Sequence, residues 1–173
     1  MSKRIAIFAS GSGSNAQSVI QYFEKKESAK VVLVGCNNTN ALVLKRASRL
    51  GVNSFVFNKA SLTRSSVVLE TLLLEKIDFI VLAGFLLKVP KKIIRAFPKR
   101  IINLHPSLLP KFGGKGMYGA NVHKAVLNNN EVESGITIHF VNKYYDQGEV
   151  ILQKKCFISK NETVSSLERK IKS

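Results

Sequence analysis

Asn103 and His105 stand two residues apart in the run Ile101-Ile102-Asn103-Leu104-His105-Pro106-Ser107-Leu108-Leu109-Pro110. Side chains two apart in an extended chain point to the same side, so an amide and an imidazole share one face. Pro106 has no N–H to give to a ladder and ends the strand directly after them. An amide donor beside an imidazole at the carboxyl end of a strand can polarise a carbonyl and deliver a proton to a leaving group. Spacing alone favours a plainer reading, a strand end with a surface histidine and a proline loop.

A second constellation is the turn Ser10-Gly11-Ser12-Gly13-Ser14-Asn15, which follows a short apolar strand and opens a helix. Backbone N–H groups at such a helix start bind phosphate. Gly11 and Gly13 permit a tight turn and close approach of an anion, and Ser14 and Asn15 add side-chain donors. The string Gly11-x-Gly13-x-x-Ala16 also fits the loose dinucleotide fingerprint, which expects a carboxylate at the end of the second strand. That end reads Gly35-Cys36-Asn37-Asn38, so a monophosphate fits better. Asp146, within Tyr144-Tyr145-Asp146-Gln147-Gly148, reads on its own as an ordinary turn aspartate. His123 reads as structural, and Ser107 lacks the surroundings of a nucleophile elbow.

The elements that must hold these residues alternate between strand and helix. Strands are expected over 4–9, 31–35, 54–57, 79–82, 100–104, 136–141 and 150–157. Helices are expected over 14–23, 41–50, 65–76, 91–97, 118–127 and 164–172. In the third helix Leu69, Leu72, Leu73 and Ile77 form the apolar stripe. The alternation predicts a single α/β domain with a doubly wound, mostly parallel sheet.

With 173 residues, 45% of them hydrophobic, the chain suffices for one domain with a sizeable core. No apolar run reaches the length of a membrane span. Met1 leads directly into a charged pair and a strand, so no signal peptide is expected and the cytoplasm is the expected location. Cys36 and Cys156 are too few for a disulfide framework, and no Cys/His spacing suggests a metal. The charge is +16, from 27 Lys and Arg against 11 Asp and Glu. Those basic residues are scattered, with no arginine-rich tract or aromatic stripe, which argues against nucleic acid. A basic surface would instead steer phosphate- and carboxylate-bearing substrates.

Asn-Leu-His-Pro-Ser-Leu-Leu-Pro, taken with the Ser10–Asn15 turn, resembles the folate-dependent formyltransferases. Val81-Leu82-Ala83-Gly84-Phe85, Gly135-Ile136-Thr137-Ile138-His139-Phe140 and Asp146-Gln147-Gly148-Glu149-Val150-Ile151-Leu152-Gln153 match further pieces in the family's order. The resemblance runs from residue 4 to about residue 165 and is nearest to the branch that formylates glycinamide ribonucleotide in purine biosynthesis. It implies a Rossmann-like formyltransferase fold, with 10-formyltetrahydrofolate as donor co-substrate and no metal. It implies that Asn103 donates to the oxyanion of a tetrahedral intermediate. His105, held protonated by Asp146, supplies the proton for the departing folate nitrogen. Asp146, through a water, takes the proton lost by the amine.

The same resemblance implies that Gly11, Gly13, Ser14 and Asn15 hold the ribonucleotide phosphate. Folate falls to Arg64, Leu86, Leu87, Lys88, Val89, Asn103, Asn142 and Asp146, and Thr137 and His139 are supporting residues. A carboxylate in reach of His105 should raise the imidazole's pKa and fix its tautomer.

The sequence departs from the family in two places. Leu87 stands where the family often carries a basic residue, with Lys88 following it. Residues 1–173 also stop just before the family's closing Glu-His segment, so the domain is expected to lack that final piece. A monomer or a homodimer is compatible with the sequence. The alternative readings are methionyl-tRNA formyltransferase, formyltetrahydrofolate hydrolase, or a basic nucleotide-binding module.

Overall fold

The computed structural model describes residues 2–172 and divides the chain into two compact units, one ending at Ile101 and one beginning at Ile102. The first unit is built on β1 (Lys3–Ala9), β2 (Ala29–Cys36), β3 (Asn53–Val56) and β4 (Phe79–Leu82), in the order β3-β2-β1-β4. β1 pairs parallel with β2 and β4, and β2 pairs parallel with β3. Between the strands run α1 (Ser14–Glu24), α2 (Leu42–Arg49), α3 (Lys59–Thr63) and α4 (Val67–Leu74), and α5 (Lys91–Ala96) follows β4. β1 is a central strand, and Ile5 to Ala9 are buried without a break, as a parallel strand covered on both faces requires. Phe8 packs with Phe55, Phe57 and Phe85 at ring separations of 5.3–6.3 Å.

The second unit contains β5 (Ile101–His105) from its second residue on, α6 (Ala120–Asn128), β6 (Glu133–Phe140), β7 (Val150–Phe157) and α7 (Val164–Lys172). β5, β6 and β7 pair antiparallel in sequence order. α6 and α7 bury Val122, Val126 and Leu167 against each other, and Phe112, Met117 and Ile171 pack onto this cluster. The chain thus adopts the α/β, mostly parallel class expected of it, with its parallel pairings in the first unit and antiparallel ones in the second.

Three expectations change. The stretch read as one helix over 65–76 is α4, preceded by a separate short helix, α3. Asn58 caps α3, its Oδ1 accepting the Ser61 N–H at 2.8 Å, which is a sound local signal for a helix too short to show periodicity. The buried stripe of α4 is Val68 and Leu72, with Ile77 beyond its end; Leu73 is 56% exposed and does not belong to it. β6 also begins at Glu133 rather than at residue 136, because Glu133 to Gly135 pair with Phe157 to Lys155 of β7.

Candidate active site

In the second unit, register brings the sequence candidates together. Asn103 lies opposite His139 and His105 opposite Thr137 across the β5–β6 pair, so all four side chains share one face. Asp146 is delivered by the turn between β6 and β7. Asn142 builds that turn, its Oδ1 accepting the Tyr144 N–H and its Nδ2 donating to the Gln147 carbonyl, both at 2.8 Å. Both polar atoms of the Asn142 side chain are therefore engaged within the turn.

Gly148 closes the turn. A Cβ there would fall 1.6 Å from the Phe140 carbonyl oxygen, so only glycine fits. Gly148→Ala is expected to cost about 3 kcal/mol of stability through overpacking against backbone. A urea unfolding midpoint equal to the wild type would contradict that.

The Asp146 carboxylate accepts from Asn103 Nδ2 at 3.2 Å and from the Gly114 N–H at 2.9 Å. Its oxygens lie 3.6 Å from His105 Nδ1 and 3.6 Å from His139 Nε2. Those distances are too long for hydrogen bonds but short enough for charges to be felt. Burial pushes the Asp146 carboxyl upward. The His139 imidazole, the Gly114 N–H and His105 outweigh it, and the net pKa is below 3.8. Asp146 is an anion in the working range. It sits at φ +52°, in the left-handed region that Asp enters more readily than most residues and that recurs at functional sites.

Hydrogen-bond valence fixes both imidazole tautomers. His105 Nε2 lies 2.8 Å from the Phe112 carbonyl oxygen, which can only accept, so Nε2 carries a proton. The lone pair of the neutral ring is then on Nδ1, the nitrogen facing Asp146. His139 Nδ1 likewise donates to the Phe140 carbonyl at 2.8 Å, leaving Nε2 to accept from Asn103 Nδ2 at 3.1 Å. Both N–H groups of the Asn103 amide are thus engaged, one by His139 and one by Asp146.

His105 corrects an expectation from sequence. Burial at 3% exposure pushes its pKa below the ordinary 6.5. The Asp146 carboxylate and the Phe112 carbonyl raise it, but they do not overcome desolvation, and His139 adds to the lowering. The ring is therefore mainly neutral near pH 7, not held protonated.

Two backbone groups at this site were not legible as residue types, the Phe112 carbonyl and the Gly114 N–H. The adjacent Gly113-Gly114 pair was the available signal. Phe112 is itself at φ +55°, costly for a bulky side chain, and it is kept there by packing on the Val122–Val126–Leu167 cluster. His123 is buried on α6 beside that cluster.

The first unit holds the remaining candidates. Gly13 is the N-cap of α1 at φ +74°, and a Cβ on it would lie 2.5 Å from Val43. Its lack of a side chain makes room for the contact of α1 with α2. Gly11 has open space around it. The loop is fastened by Val43 N–H to the Gly11 carbonyl at 3.2 Å and by Arg46 Nε to the Ser12 carbonyl at 2.9 Å. The first bond of α1 runs from the Gln17 N–H to the Gly13 carbonyl, so the N–H groups of Ser14, Asn15 and Ala16 precede its ladder.

Leu86, Leu87 and Lys88 form an accessible segment after β4, with Val89 buried in the core. The Leu86 N–H is taken by Ser10 Oγ at 2.9 Å. Arg64 is the exposed C-cap residue of α3. Among the described residues no group of three or more His, Cys, Asp or Glu side chains could hold a metal ion, and no helix is long and apolar enough to cross a membrane.

The model of the formyl transferase family matches residues 3–173. The chain belongs to that family. A chloroplastic phosphoribosylglycinamide formyltransferase of Arabidopsis thaliana is 39% identical over 98% of this chain and 60% of its own length. One from Bacillus subtilis is 32% identical over 98% of this chain and 87% of its own length. The crystal structure of glycinamide ribonucleotide transformylase 1 from Geobacillus kaustophilus superposes with a TM-score of 0.89 at 34% identity, over 99% of this chain and 92% of that one. The chain spans less than two thirds of the plant relatives, 60% of the Arabidopsis protein and 56% of that from Vigna unguiculata.

Proposed function

We propose that this formyl transferase family member moves the formyl group of 10-formyltetrahydrofolate to the primary amine of glycinamide ribonucleotide. The observation that carries this reading is the cluster of Asn103, His105 and Asp146 on one face of the second unit. It lies within a family match that runs across both units, which supports treating 1–173 as one formyltransferase domain. The names of the relatives supply the substrate.

The chemistry follows from the protonation states. Asp146 is ionised and faces the lone pair of a neutral His105. The amine nitrogen adds to the formyl carbon, and the carbonyl oxygen becomes an oxyanion. Asn103 turns an N–H from His139 to that oxyanion, a stronger acceptor, so the bond gains strength as charge develops. Asp146 accepts the proton lost by the amine. His105 carries it through Nδ1 to the folate nitrogen as the carbon–nitrogen bond to the folate breaks. The proton that leaves one nitrogen thus arrives on the other, and no outside acid is consumed.

The phosphate of the ribonucleotide is assigned to Gly11, Gly13, Ser14 and Asn15, on the strength of the helix-start N–H groups there. The folate is assigned to the 86–89 segment, Arg64, Asn142, Asn103 and Asp146, with Thr137 and His139 supporting. A formyl-transfer assay compares glycinamide ribonucleotide with methionyl-tRNA as acceptor, using 10-formyltetrahydrofolate as donor. Turnover with the ribonucleotide alone is the expected result. Turnover only with the tRNA, or hydrolysis of the folate with neither acceptor, would overturn the assignment.

A further inference from the structure

We propose that Gln153, on β7, is a positioning residue that holds the 107–112 loop so that the Phe112 carbonyl stays on His105 Nε2. Its amide Nε2 donates to the Leu109 carbonyl at 2.8 Å and to Thr137 Oγ1 at 2.9 Å. Thr137 is fully buried, and its hydroxyl is used to its full valence. Oγ1 donates to the Ser107 carbonyl at 2.6 Å while accepting from the Leu109 N–H at 3.0 Å and from Gln153. Ser107 Oγ then donates to the Lys111 carbonyl at 2.8 Å, directly before Phe112. The loop is pinned at 107, 109 and 111, and the next carbonyl along is the one that fixes the His105 tautomer.

Buried polar networks of this kind hold one geometry because every member is satisfied, and each lost donor leaves partners unpaired. Gln153 is the member at the edge. It lies on an exposed strand, yet its donors point inward to the loop. Removing it leaves the Leu109 carbonyl without that donor and frees the loop to slide. The groups that face His105 apart from the loop are Asp146, in the turn before β7, His139 on β6 and, at longer range, His123 on α6. None of them donates to or accepts from His105 Nε2, so the loop alone selects that tautomer.

The proposal rests on the reading that His105 acts in formyl transfer, but its spectroscopic test does not. Nitrogen-15 NMR of the imidazole distinguishes Nε2–H from Nδ1–H directly. The wild type is expected to show the Nε2–H form. Gln153→Leu is expected to show a mixture, with kcat lowered on the order of 10-fold or more through misplacement and KM for both substrates little changed. Gln153→Met, which keeps the reach of the side chain without a donor, should behave the same and serves if the leucine variant does not fold. Lys155→Leu, on the same strand, should leave the spectrum unchanged. A pure Nε2–H spectrum in both Gln153 variants would overturn the proposal even if their melting temperatures fall. A mixed spectrum with no effect on turnover would keep the clamp and remove His105 from the reaction.

Discussion

Asn103→Ala is expected to lower kcat for formyl transfer by roughly 10²–10³-fold, about 3 kcal/mol, with a folded protein and little change in KM. The amide is the one neutral donor in the cluster with two N–H groups, and both are held in place by His139 and Asp146. When an oxyanion forms, the amide stays on Asp146 and only the N–H held by His139 has to turn. The resting acceptor is a His139 ring nitrogen, so exchanging it for an oxyanion strengthens the bond only in the transition state. Truncation also leaves His139 Nε2 and one Asp146 oxygen without this donor, at a stability cost of about 1–3 kcal/mol. Circular dichroism and a melting curve separate that loss from the catalytic one. Wild-type kcat in a folded Asn103→Ala protein would remove the amide from the mechanism.

Asp146→Asn is expected to lower kcat roughly 10²–10⁴-fold, since it removes the group that accepts the amine's proton. It should also act on His105. The carboxylate is one of the two influences that raise the His105 pKa against burial, so its loss lets desolvation prevail further. An NMR titration should place the wild-type His105 midpoint below 6.5 and the Asp146→Asn midpoint lower still. The sign is fixed because a carboxylate favours the imidazolium and an amide does not. A midpoint that rises, or stays put, would mean that the 3.6 Å approach of Asp146 to His105 carries no coupling.

Much of this fold was legible because the sequence punctuates it sharply. Phe79–Leu82, Val150–Phe157 and Val164–Lys172 fall where apolar pattern and flanking polar turns put them. The pairing of Asn103 with His105 followed from a period of two and was met. What failed were features set by the rest of the chain. Leu73 fits the stripe of α4 by spacing, but the helix meets the core along Val68 and Leu72. The pKa of His105 could not be read from a neighbouring carboxylate alone, because burial is a property of the packed unit and here it is the larger influence. Phe112 and Gly114 act through backbone groups, which any residue type could offer, so only the fold reveals them.

The claim that Asn103, His105 and Asp146 form one catalytic unit is tested most directly by kcat for formyl transfer in His105→Ala, Asp146→Asn and the double variant. Residues that pass one proton between them lose their function together, so the double variant should be little slower than the slower single variant. If the two losses multiply, His105 and Asp146 act independently, and the relay from amine to folate nitrogen is wrong.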